Sequence, residues 1–194
     1  MMLSADERLF HWINGLAGNL APLDWLMKAL ANDYLIPVSL SLALLAIWFG
    51  GRSFAQRQRN QFGVICAAGG MGIADGIVKL VNLGYFRERP FVEHEANLLF
   101  YQPTDSSFPS NIVAVAVGIA VGMWFYNRRL GAYFFIVAAM VALARVYVGV
   151  HYPVDVLGGA AIGVVGAFIT LGVRHLLAPL ISLILRLMRV LYLA

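Results

Sequence analysis

The run Ala144-Arg145-Val146-Tyr147-Val148-Gly149-Val150-His151-Tyr152-Pro153-Val154-Asp155 sets an arginine, a histidine and an aspartate around a tight break between two apolar stretches. Pro153 suits the first turn of a helix, where its missing N–H is not needed. Asp155 follows His151 by four residues, so a helical or nearly helical turn brings the two within reach. A carboxylate bonded to one ring nitrogen fixes the tautomer and leaves the other nitrogen basic, as a nucleophile or general base requires. The same pair can instead simply hold two helices together at a membrane edge.

Two other stretches suit a phosphate. Ser107-Phe108-Pro109-Ser110-Asn111 opens a further apolar run, with Pro109 at a first-turn position followed by free backbone N–H groups and the Ser110 hydroxyl. That is an anion site at the positive end of a helix dipole, or an ordinary N-cap. Arg87-Glu88-Arg89-Pro90 ends another run, and Arg89 or Arg87 there offers a planar fork to a phosphate unless both are snorkelling anchors.

The elements that must position these groups are membrane helices. Of 194 residues 61% are hydrophobic and 12% charged, against about 25% charged in a typical soluble domain, and the mean hydropathy is +0.78. Five segments, 34–49, 62–83, 109–125, 130–148 and 154–173, are apolar and bounded by charge, Pro or Gly, as spanning helices require. The tail 176–193 is interrupted by Arg186 and Arg189 and suits either a sixth span or an interfacial helix. Before the first span, 5–16 and 22–30 carry apolar residues at helical spacing with charges between, and their Trp12 and Trp25 fit a headgroup belt. The expected fold is therefore all-α: one membrane-embedded bundle of five to six spans, with interfacial helices over 1–33, core spans over 34–175 and a terminal or interfacial helix over 176–194.

Arg52, Arg57, Arg59, Arg128, Arg129 and Arg174 flank one set of span ends, which the positive-inside rule makes cytoplasmic. The residues capable of chemistry then fall on the outer, periplasmic or extracellular side. The formal charge of +4 does not indicate a nucleic-acid partner, because the basic residues sit at the ends of apolar runs and form no continuous face. The lone Cys66 lies in an apolar run and reads as a small core residue. The opening residues lack a basic stretch followed by an apolar one and a small-residue cleavage site, so no cleavable leader is expected.

Together these segments resemble the three-part signature of the type-2 phosphatidic acid phosphatase and vanadium haloperoxidase superfamily, K-x6-R-P, P-S-x-H and S-R-x5-H-x3-D. The third part matches at Arg145, His151 and Asp155, with Ala144 in place of serine. The second matches at Pro109 and Ser110 but has Ile112 at the histidine. The first matches at Arg89 and Pro90 but has Asn82 at the lysine. The resemblance implies that His151 attacks phosphorus to form a phosphohistidine and that Asp155 orients it. It further implies that Arg89, Arg145, Ser110 and the N–H groups near Asn111 hold the phosphate oxygens, with no metal or other cofactor.

Ile112 removes the residue that the resemblance makes the general acid. Lys79, one turn before Asn82, either reaches the phosphate or pairs with Asp75 four residues earlier. His94 in the outer loop either folds back as the acid or stays solvated. A lipid monophosphate leaving from a diphosphate needs no such acid, so the expected partner is a phosphorylated membrane lipid, preferably a polyprenyl diphosphate. The competing readings are a non-catalytic protein that keeps the phosphate cradle to bind or move such a lipid, and an unrelated membrane protein. Gly69, Gly70, Gly72 and Gly76 promise close helix packing in each.

Overall fold

The computed structural model describes residues 4–190, all helix and loop with no strand among them. Residues 1–3 of the opening run and 191–194 of the tail lie outside the described residues. The helices are α1 (Ala5–Asn14), α2 (Ala21–Ala31), α3 (Leu35–Phe49), α4 (Phe54–Gly84), α5 (Pro90–Glu93), α6 (Asn111–Trp124), α7 (Arg128–Tyr147) and α8 (Pro153–Val190).

α1 starts at a capping box, in which the Glu7 N–H donates to Ser4 Oγ at 3.2 Å and the Ser4 N–H to the Glu7 carboxylate at 2.7 Å. Its far end is anchored by the buried Asn14, whose amide donates to the carbonyls of Tyr147 and Asn97. α1 thus binds the turn between α7 and α8, while Trp12 and Trp25 on α1 and α2 stay exposed.

α4 and α8 are longer than the apolar runs that announce them. A hydropathy reading stops at the charges of Gln56 to Gln61, but the backbone ladder does not, and Ser53 caps α4 by accepting from the Gln56 N–H. α8 likewise continues past Arg174 and through Pro179. At 1.5 Å per residue α3 and α6 reach only about 20 Å, short of the roughly 30 Å hydrocarbon layer. Three described helices (α4, α7 and the Pro153–Arg174 part of α8) are long and apolar enough to cross a membrane. A fourth span results if α2 and α3, bent by 61° at their junction, count as one. That is fewer than the five to six expected, because hydropathy does not register where a helix bends or how short it is.

α6 forms the centre, packed against α4, α7 and α8. Its run of Ala114, Ala116, Gly118, Ala120 and Gly122 is buried, while large apolar side chains such as Leu42, Ile136, Leu157 and Phe168 are exposed on the outside, the arrangement a lipid-facing bundle needs. A Cβ on Gly118 would stand 2.9 Å from the Gly70 carbonyl oxygen, and one on Gly69 2.5 Å from Thr170 Cγ2, whereas Gly72 and Gly76 face open space. Only part of the expected glycine set therefore brings helices together. Gly118→Val is expected to lower stability in detergent by about 1–3 kcal/mol, and Gly72→Ala to leave it within about 0.5 kcal/mol, both readable from thermal unfolding.

The arginines 52, 57, 59, 128 and 129 gather at one end of the bundle with the start of α4, the end of α6 and the start of α7. The starts of α3, α6 and α8 and the end of α7 meet at the other.

Candidate active site

α7 ends where Gly149 takes φ +88, with a Cβ there meeting Asn14 Nδ2 and the Asn97 carbonyl at 3.2 Å. Glycine is needed at this position both for the left-handed backbone and for the close approach. The reversal places His151 between Arg145, in the last turn of α7, and Asp155, in the first turn of α8, which begins at Pro153.

His151 is buried, with Nδ1 2.8 Å from the Ser107 carbonyl oxygen. A carbonyl only accepts, so Nδ1 carries the proton and Nε2 holds the lone pair. Nε2 stands 3.3 Å from Arg145 Nη2, which donates to it. The ring is therefore oriented first by the Ser107 backbone and not directly by Asp155, whose nearer oxygen is 3.8 Å from Nδ1. Asp155 is fully buried and fixes the surrounding loop: it accepts from the Ser107 hydroxyl at 2.6 Å, the Tyr152 N–H at 2.8 Å and Arg87 Nη1 at 2.7 Å. Arg87 in turn bonds Asp6 of α1 and lies over the Tyr152 ring. Burial, with Arg145 and Arg89 adding to it and Asp155 opposing, pushes the His151 imidazole down to about 4, so the ring is neutral at ordinary pH.

His151 lines a cavity of about 340 Å³ together with Arg145, Arg89, Asn111, Ile112 and Asp33, with Pro37 and Val115 as apolar wall. Arg89 donates to the carbonyls of Asp105 and Val150 and to the Asp105 carboxylate, which clamps the loop before α6 and keeps its charge at the cavity. Arg145 Nη1 donates to the Ala31 carbonyl and to Asp33 at 2.7 Å, while its buried Nε has no partner among the described residues. Asn111 and Ile112 are the first residues of α6, so the unpaired N–H groups and positive dipole end of that helix open on the same space.

Of the site residues expected from sequence, the structure brings Arg89, Asn111, Arg145 and His151 to one cavity and sets Asp155 beneath it. Ser110 is the N-cap of α6, with Pro109 before the cap; its buried Oγ has no partner among the described residues and its N–H donates to the Asp155 carbonyl. Lys79 does not line the cavity: its ammonium is exposed and pairs with Asp75 at 2.7 Å, and Asp75 also accepts from the Asn111 amide. His94 lies against Glu7 and the rings of His11 and Tyr152, away from the cavity.

Asp33 was not singled out by the sequence. It sits at the α2–α3 bend, and its oxygens take Arg145 and the Tyr101 hydroxyl, a phenol pushed up to about 12 by that bond. The available signal was an acid at the outer edge of the first apolar run. Among the described residues no group of three or more His, Cys, Asp or Glu could hold a metal ion. A larger cleft of about 460 Å³ at the opposite end, beside Arg59, Arg128 and Arg129, is lined by no histidine, cysteine, serine or carboxylate.

A neutral imidazole whose unprotonated Nε2 lies beside one guanidinium, in a cavity that a second guanidinium and a helix N-terminus also line, suits an anionic, tetrahedral centre, which places the protein in the class of membrane-embedded phosphate-handling enzymes and binders. The chain belongs to the PAP2 superfamily, whose family model matches residues 63–177. It is 34% identical over 182 residues to the undecaprenyl-diphosphatase BcrC of Bacillus subtilis, covering 93% of this chain and 90% of the relative. It is 29% identical to the putative undecaprenyl-diphosphatase YbjG of Escherichia coli, over 86% of this chain and 81% of that one. Among solved structures it is similar to Aquifex aeolicus LpxE, with a TM-score of 0.69, 27% identity and coverage of 88% and 96% of the two chains.

Proposed function

We propose that this protein is a lipid phosphatase that hydrolyses a polyprenyl diphosphate, undecaprenyl diphosphate in particular, through a phosphohistidine at His151. The observation that carries the reading is a buried, neutral His151 in the lining of the arginine-rich cavity, with its unprotonated Nε2 beside Arg145. The names of the relatives point to the same substrate.

In the first step the Nε2 lone pair forms a bond to the terminal phosphorus. The bond from that phosphorus to the bridging oxygen breaks, and its electrons leave with the lipid monophosphate. Arg145, Arg89 and the α6 N-terminus stabilise the charge that builds on the phosphoryl oxygens. Nδ1–H stays on the Ser107 carbonyl and supports the developing imidazolium. Asp155, with Arg87, fixes the loop that carries both. Ile112 in the cavity is what favours the alternative of a non-catalytic binder, but a leaving lipid monophosphate is a weak base and departs without an acid. Water then cleaves the P–N bond.

The chain acts as one membrane domain with α4, α7 and the first part of α8 as full spans, the shorter α3 and α6 packed among them, α1 and α2 at the interface, and the cavity end on the outer face, opposite the arginine-rich end. The apolar outer wall suits a substrate that arrives from the bilayer.

Acid-stable quenching is unsuitable for a P–N bond, so the test is an alkaline quench of protein mixed with the lipid diphosphate, followed by peptide mass spectrometry. A phosphoryl group on His151 is expected; turnover with no modification of His151 would overturn the mechanism. The pH profile is a second expected outcome. The reactive form is the unprotonated ring, and protonation falls near 4 and not near 6.5. Once substrate ionisation is accounted for, kcat/KM should therefore hold level from pH 7 to about pH 5 before it drops. An enzyme limb near 6.5 would contradict the buried, neutral histidine.

A further inference from the structure

A weakly basic leaving group solves only half of the problem that Ile112 creates. The lipid monophosphate can leave unaided, but the water that later attacks the phosphohistidine must lose a proton whatever the leaving group was. A site that turns over therefore needs a base beside the phosphorylated ring. Of the residues lining the cavity, only His151 and Asp33 carry a side chain able to act as a general base, and at this step His151 is the phosphorylated group. Asn111 and the two arginines cannot serve. Among the nearby carboxylates outside the lining, Asp155 is sealed below, with bonds to Ser107, Tyr152 and Arg87, and Asp105 and Asp75, which bond Arg89 and Asn111, do not line the cavity.

The placement of Asp33 suits the task. One guanidinium spans the distance between it and the nucleophile: Arg145 Nη1 is 2.7 Å from Asp33 Oδ1, and Nη2 is 3.3 Å from His151 Nε2. The Tyr101 hydroxyl donates to Oδ2. Two donors hold the carboxylate in a fixed orientation, yet it stays partly open to solvent, with a side-chain exposure of 27%, so water reaches it.

We infer that Asp33 is the general base for the second half-reaction, the hydrolysis of the phosphohistidine. This rests on the phosphatase reading given above. Asp33 takes a proton from water as the water oxygen bonds to phosphorus. The P–N bond breaks and its electron pair returns to Nε2, restoring the neutral imidazole with its proton still on Nδ1. Inorganic phosphate leaves, and the proton on Asp33 passes to solvent. No co-reactant beyond water is needed.

The test is rapid-quench kinetics of Asp33→Asn in detergent with a polyprenyl diphosphate. Lipid monophosphate is followed for the first half and inorganic phosphate for the second. Asparagine is isosteric and keeps polar atoms toward Arg145 and Tyr101. The expected result is a burst of about one lipid monophosphate per protein, then steady phosphate release slowed by about 10²-fold or more, with His151 accumulating in the phosphorylated form. Added formate should restore steady release to Asp33→Ala, a second variant that lacks the carboxylate.

A steady rate within a few fold of the unaltered protein would overturn the assignment. So would a loss of burst and steady release together with no phosphohistidine, the pattern of a residue that only holds Arg145 in place. If the unaltered protein itself neither releases phosphate nor phosphorylates His151, the phosphatase reading fails, and the role of Asp33 with it.

Discussion

His151→Ala is expected to reduce phosphate release from a lipid diphosphate by roughly 10³-fold or more while leaving the protein folded. The cavity would keep Arg89, Arg145 and the α6 N-terminus, so binding of the lipid should persist while the chemistry stops. The informative readout is therefore the split between turnover and affinity. His151→Asn is the stricter control, because its amide can still donate toward the Ser107 carbonyl that now receives Nδ1–H. Initial rates and lipid binding, measured on variants with unchanged thermal unfolding, check the expectation. A variant retaining a tenth or more of the turnover would mean that the nucleophile lies elsewhere.

Ile112→His should produce the largest gain. Ile112 lines the same cavity as His151, and a histidine there would offer a proton to the departing group. An alkoxide leaving from a lipid monophosphate depends on that proton. A leaving phosphate monoester, whose second ionisation lies near 6, does not. Hydrolysis of a polyprenyl monophosphate is thus expected to rise by about 10²-fold or more, within the usual range for general acid catalysis. Hydrolysis of the diphosphate should change by less than about tenfold. The ratio of the two kcat/KM values measures this directly, and equal gains on both substrates would show that Ile112 does not set the preference.

The sequence made His151 and Arg145 legible because their spacing is local: three residues around one break between apolar runs, with Asp155 one turn beyond His151. It did not show what holds the ring. The Nδ1 partner is a backbone carbonyl, Ser107, brought in from a loop more than forty residues earlier, and backbone acceptors leave no trace in side-chain identity. Asp33 stayed unremarked for a related reason. Its place at the cavity depends on the bend between α2 and α3 and on Arg145 reaching across to Ala31 and Asp33.

Lys79 shows the limit in the other direction. Its spacing suited two partners, and the nearer one on its own helix, Asp75, holds it. Hydropathy located every described helix but the short α5, and missed the polar turns that extend α4, the continuation of α8 through Pro179 and the shortness of α3 and α6, because those depend on hydrogen bonding and packing instead of on apolar content.

The most direct test is release of inorganic phosphate from undecaprenyl diphosphate by the detergent-purified protein, with chelator present and no added metal. The expected result is one inorganic phosphate for each undecaprenyl phosphate formed, at a rate well above that of a His151→Ala preparation. Folded protein that binds the lipid but releases no phosphate above that control would contradict the assignment of a histidine-dependent lipid diphosphatase.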